Sequence, residues 1–159
     1  MRQLMITEET QLLMREQAQD CIKAHAKQAI AVSFIPLVSL PIVYGVCAKM
    51  IIKLDKIYGI TTATGWDSEI TQDIMAGVIA APALAIPFIG AGIAGAFVKS
   101  IGSSYSQAVA AVVTVSTPQE LTDDAIVAER VKNELKKIYA KQRQERLERM
   151  NPPTPPCQP

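Results

Sequence analysis

The sequence predicts an all-α protein: two proline-tipped apolar helical hairpins, four helices in all, plus an amphipathic C-terminal helix. Three observations predict it. Apolar residues recur at three- and four-residue steps, the spacing of one helix face. Residues 28 to 48 and 74 to 98 carry no charge. Finally, Pro36 and Pro41 are spaced like Pro82 and Pro87, 46 residues on, and each pair sits inside one of those stretches.

The first helix is expected over 7 to 35. Thr7 caps it, and Glu8 and Glu9 sit in the first turn, where the helix dipole favours acids. Pro36 and Pro41 interrupt the pattern, because each removes a backbone donor and crowds the preceding turn. A second helix follows over about 42 to 58 and stops at Gly59, with Lys56 in its last turn. Residues 60 to 66 read as loop. Asp67 caps a third helix, which meets Pro82 and Pro87. A fourth helix runs from about 91 into the 110s, with an irregularity at Gly102-Ser-Ser.

Thr117-Pro118-Gln119-Glu120 is a start signal: a capping threonine, a proline at the first helical position and a glutamate three residues after the cap. The helix behind it runs to about 149. Its apolar seam is Leu121, Ala128 and Leu135 with Val131 and Ile138, and it fails at Gln142 and Glu145. That is a short amphipathic helix, not a long coiled coil. Residues 151 to 159 hold five prolines and form a tail. The domains are therefore 1–116 (hairpins about 7–59 and 67–116), 117–150 and 151–159.

Charges echo the prolines. Lys27 lies nine residues before Pro36 and Lys23 thirteen, while Lys49 lies eight after Pro41 and Lys53 twelve. In the second unit Asp73 is nine before Pro82, Glu69 is thirteen before, and Lys99 is twelve after Pro87. As hairpins, these side chains form a charged collar below two apolar arms. Each arm is roughly 12–16 Å long, about half a bilayer's hydrocarbon thickness. The rival geometry is two straight spans, of 21 and 25 uncharged residues. Both termini would then lie on the cytoplasmic side, holding thirteen Lys/Arg against three in the centre. A soluble bundle with uncharged buried helices is the third geometry.

Pro36-Leu-Val-Ser-Leu-Pro41, Met50-Ile51 and Tyr58-Gly59 resemble a hydrophobic helical domain of unknown function. That family is found appended to Era-like GTP-binding domains and in bacterial inner-membrane proteins. Ser39 stands where the family tends to have aspartate, and Cys47 where it has glutamine. The resemblance covers about residues 20 to 115. It implies a membrane-linked, GTPase-associated context, in the inner membrane if the chain is bacterial. No phosphate-loop pattern ending in Gly-Lys-Ser/Thr occurs in the chain.

Little chemistry is expected. Gly90-Ala-Gly92-Ile-Ala-Gly95 matches a dinucleotide pattern in letters only: Pro87 stands where the strand should run, and no acid follows about twenty residues on. His25 is the one histidine and lacks companion metal ligands. Asp55, flanked by Lys53 and Lys56, reads as a solvated or locally paired charge, and Asp73 with Lys99 as a pair between helices. Trp66 and Tyr58 suit a membrane-interface belt or, equally, the cap of a bundle. Cys21, Cys47 and Cys157 read as reduced thiols, which fits a cytosolic side. The polar start, charged through Lys27, is no signal peptide. A net charge of +1 and 5% aromatics argue against nucleic-acid binding.

The expectation is a non-catalytic, cofactor-free, membrane-associated anchor or interaction module. Its partners would be the lipid bilayer and a GTPase or a like chain. The alternatives are a cytoplasmic helical adaptor docking through the C-terminal helix, or a small pore-forming oligomer.

Overall fold

The computed structural model describes residues 8–32, 39–62 and 87–150. They form four α-helices: α1 (Glu8–Val32), α2 (Ser39–Tyr58), α3 (Pro87–Val115) and α4 (Asp124–Met150). A single 3-10 turn, Glu120–Thr122, precedes α4. The described part is therefore all-α. Pro36, Trp66, Glu69, Asp73 and Pro82 lie outside the described residues, and so does the expected third helix.

Helix α3 packs against each of the other three. It runs antiparallel to α1: Gly95 faces Ile30, and Gly102 faces Ile22. It runs parallel to α2: Gly102 also faces Met50, and the Tyr58 and Ser106 hydroxyls meet at 2.8 Å. It runs antiparallel to α4: Arg130 donates to Ser116 at 2.8 Å, and Gln142 to Ser104 at 3.1 Å. The core between them is apolar, centred on Ile22, Met50, Leu54, Val98, Val109 and Val131.

Several boundaries differ from the sequence reading. Helix α2 opens at Ser39, so Pro41 stands in its first turn, where backbone N–H groups have no intrahelical acceptor to lose. Helix α3 opens at Pro87, the residue type favoured at a first position, and not at about 91. No break occurs at Gly102-Ser-Ser. Gly102 is needed there because a Cβ would stand 2.7 Å from Ile22 Cγ1 and 2.9 Å from Met50 Sδ. Ser104 is buried and accepts from Gln142, so packing overrides the local weakness.

The Thr117 start signal forms as a reciprocal box. The Thr117 backbone N–H donates to Glu120 Oε2 at 2.8 Å, and the Glu120 N–H donates to Thr117 Oγ1 at 3.4 Å. It opens only the 3-10 turn. Asp123 then turns extended, and its carboxylate caps α4 afresh, accepting from Ala125 and Ile126 at 3.1 and 3.2 Å. Arg130 reaches back to Glu120. The Thr117 N–H first, then Arg130, hold the Glu120 carboxyl below its ordinary value of 4.5. A carboxylate with a lowered folded value stabilises the fold above its unfolded value, and that contribution fades as pH falls through the folded one. Glu120→Gln is therefore expected to flatten the acid-side fall in melting temperature. An unchanged slope in a pH series of thermal melts would count against the box.

The seam of α4 is not presented to a partner. Val131 and Leu135 are buried on α3, with Leu121, Ala128 and Ile138 packed beside them. Nor does Tyr58 mark a membrane interface, since it is buried in the core. Among the described residues no helix is long and apolar enough to cross a membrane. Because α1 runs against α3 and α2 runs with it, α1 and α2 are antiparallel to each other.

Candidate functional site

The buried polar groups come first, because they are the chemistry the fold contains. Gly59 has φ 67°, a value that glycine adopts without strain, and it ends α2 in a Schellman motif. The Ile60 N–H donates to the Asp55 carbonyl at 3.0 Å, and the Gly59 N–H to that of Lys56 at 3.3 Å. This reversal carries Thr62 back beside Asp55. The Asp55 side chain accepts from the Thr62 N–H at 3.0 Å, from the Thr62 hydroxyl at 2.9 Å and from the Tyr105 hydroxyl at 2.5 Å. The two hydroxyls also touch each other. Asp55 is thus a buried group held by hydrogen bonds, not the solvated charge that the sequence reading allows. It ties the end of α2 to the middle of α3.

Burial, and then the Asp55 charge, push the Tyr105 hydroxyl well above the ordinary tyrosine value of 10.0. Cys47 is buried, and burial pushes its thiol up to about 12. A thiol held neutral in apolar surroundings is not a nucleophile. Cys47 is accordingly expected to resist a thiol reagent in the native chain and to react once urea unfolds it. Rapid native labelling, located by peptide mass mapping, would contradict this burial. His25 is buried too, its Nδ1 2.7 Å from the Cys21 carbonyl. Among the described residues no cluster of three His, Cys, Asp or Glu side chains is placed to hold a metal ion. The glycine run adopts no strand–turn–helix: Gly90, Gly92 and Gly95 all lie within α3, and Gly95 lets Ile30 approach closely.

The surface carries two distinct regions. Where the start of α1 meets the end of α3, four large apolar side chains are exposed: Leu12, Leu13, Val115 and, at the start of α4, Ile126. Val115 is 76% exposed. It stands on a ridge between two open grooves. One, about 540 Å³, lies against α1 and is lined by Arg15, Gln19, Ser106 and Gln107. The other, about 440 Å³, lies against α4 and is lined by Arg130, Asn133, Glu134 and Lys137. Acids cluster on the helix starts at this pole: Glu8 and Glu9 on α1, and Glu120, Asp123 and Asp124 around the start of α4.

The second region lies between α1 and α2. Lys49, Lys53 and Lys56 fall on one face of α2, at helical spacing, and all are exposed. With Ile52, Gln28 and the buried His25 they line a groove of about 390 Å³. Lys23, Lys27 and Lys99 are exposed as well. The lysines of the expected collar are thus exposed side chains on three helices. The collar's acids, Glu69 and Asp73, and hence the expected Asp73–Lys99 pair, lie outside the described residues.

Of the residues expected to carry the family pattern, Cys47, Met50 and Tyr58 are core side chains and Gly59 is the helix stop. The backbones of Ser39, Pro41 and Pro87 lie in first helical turns. Thr62, Tyr105, Ser104 and Arg130 were not singled out by the sequence. Comparison with protein-family models, with curated proteins and with solved structures finds no match. The likeness to the GTPase-linked helical domain rests on the spacing of Pro36, Pro41, Met50, Ile51, Tyr58 and Gly59.

Proposed function

We propose that the chain is a non-catalytic helical adaptor, docking a protein partner at the pole formed by the start of α1, the end of α3 and the start of α4. One observation carries this reading: Asp55, Tyr105 and Cys47 are held inside the fold, while four of the six large apolar side chains exposed among the described residues gather at one acidic pole. Asp55, Tyr105 and Cys47 are all buried, and a general base or nucleophile must reach its substrate. An apolar ridge with charged rims is instead the form that receives a partner helix.

The C-terminal helix takes part through its outer face, at Ile126 and Lys137, because its inner seam is already used. The antiparallel run of α1 and α2 supports the first expected hairpin, and the second rests on the spacing of Pro82 and Pro87. A GTPase partner rests on the family resemblance alone.

Amine cross-linking in cells followed by mass mapping tests the reading. Links to the partner are expected at Lys132, Lys136 and Lys137. The double variant Val115→Asp, Ile126→Asp should lose them while keeping its melting temperature, since both side chains are exposed. Partner links that persist in that variant, or that never involve α4, would sink the proposal.

A further inference from the structure

The lysine-lined face of α1 and α2 is not used by the adaptor reading and lies away from the acidic pole. On α2 its solvent side is Lys49, Ile52, Lys53 and Lys56, with Ile52 39% exposed. Lys23 and Lys27 on α1 and Lys99 on α3 are exposed at a similar height, outside this groove. The end of α1, the start of α2 and the start of α3 all lie at one end of the bundle, and on these three helices residues 28–32, 39–48 and 87–98 carry no charge, while the charged last turns of α4 run toward the same end. Lys23 pairs with Asp20 at 3.3 Å, across an exposed turn. Among the described residues no ion pair engages Lys27, Lys49, Lys53, Lys56 or Lys99.

We infer that this face docks on an anionic bilayer surface, with the uncharged turns of α1, α2 and α3 toward the acyl chains and the acidic pole turned to the aqueous side. Two observations favour lipid over an acidic protein. First, every cation on the face is lysine. Lysine is a hydrated point charge on a flexible stem, suited to a diffuse negative surface, whereas arginine is the residue of bidentate carboxylate recognition. Second, Ile52 lies among the lysines, and Ile30, also 39% exposed, lies in the uncharged turns of α1. A basic face interleaved with apolar side chains is how helices lie in a membrane interface. The charge separation along the bundle also fixes orientation, because a negative surface attracts one end and repels the other. The interaction needs no helix to cross, and it leaves the partner-docking pole in water.

The test is sedimentation of the full chain with vesicles of equal parts phosphatidylglycerol and phosphatidylcholine, beside pure phosphatidylcholine vesicles. Binding to the anionic vesicles alone is expected at about 0.1 M salt, with release at about 1 M, where the screening length falls to about 3 Å. The variant Lys49→Gln, Lys53→Gln, Lys56→Gln should bind about a hundredfold more weakly, at roughly fivefold per lysine. Lys132→Gln, Lys136→Gln, Lys137→Gln removes the same charge from α4 and should bind as the native chain does. Circular dichroism confirms that both variants fold. Equal loss in the two variants, equal binding to neutral vesicles, or no binding to either overturns the inference. So does displacement from anionic vesicles by polyglutamate at matched charge, which would assign the face to an acidic protein. These outcomes are independent of the cross-links to α4, so the two proposals fail separately.

Discussion

Asp55→Ala is expected to destabilise the chain by about 4 kcal/mol, the largest effect of any single side chain considered. The carboxylate is 4% exposed and receives the Thr62 N–H, the Thr62 hydroxyl and the Tyr105 hydroxyl. Removing one partner of a buried charged network leaves the others without acceptors, at about 1–3 kcal/mol for each donor stranded. The two hydroxyls can still bond each other, which keeps the sum near the middle of the roughly 3–5 kcal/mol seen when buried pairs are broken. Domains of this size are stable by only about 5–15 kcal/mol, so the variant should be close to unfolding at physiological temperature. Asp55→Asn keeps one acceptor oxygen and should lose about half as much. Urea unfolding followed by circular dichroism measures both. A midpoint for Asp55→Ala within error of the native chain would falsify the idea that this network ties α2 to α3.

The same network gives an alkaline signature. A group whose folded pKa is raised stabilises the fold fully below its unfolded value, and that contribution fades as pH rises through the folded one. For Tyr105 the unfolded value is near 10.0 and the folded value lies well above it. Stability should therefore start to fall above pH 10, and Tyr105→Phe should fall less steeply over that window.

Gly102→Val should lose about 3 kcal/mol. A Cβ there meets Ile22 Cγ1 at 2.7 Å and Met50 Sδ at 2.9 Å, and both neighbours are buried with little room to move. Overpacking of a close-packed interior typically costs about 1–3 kcal/mol, and a β-branched residue at a site this tight falls at the upper end. Alanine at Gly102 gains about 1 kcal/mol of helix propensity over glycine and should lose less. Gly95 provides the contrast. Its added Cβ would meet Ile30 Cγ1 at 2.5 Å, but Ile30 is 39% exposed and can swing outward. Gly95→Ala should be neutral or slightly stabilising. If Gly102→Val melts with the native chain while Gly95→Ala does not, the packing of α1 and α2 against α3 is misassigned.

The helical class was readable because periodicity, caps and the Gly59 stop are local features. The solvated reading of Asp55 fails on the position that the residue takes around its helix. Residues 53 and 56 point to the solvent side of α2, whereas 55 falls on the buried stripe of Cys47, Ile51, Leu54 and Tyr58. An acid at a stripe position was the available signal. Its partners, Thr62 and Tyr105, depend on the reversal after Gly59 and on α3 packing 50 residues away, which no local pattern encodes. The apolar seam of α4 packs within this chain, and an apolar stripe in a sequence does not announce whether its partner belongs to the same chain. The lysines were legible as spacings around prolines. Only the folded arrangement shows three of them as one face of one helix.

Helix α4 packs chiefly on α3, whereas α1, α2 and α3 each pack on the other two. Hydrogen bonds from Arg130 and Gln142 hold it to α3 at two points about three turns apart. Such a layout makes α4 the natural first unit to open, with the three-helix remainder still closed over Asp55. Deuterium uptake would then divide the chain in two, with amides of α4 exchanging through a shallow opening and those of α3 waiting for the whole molecule to come apart.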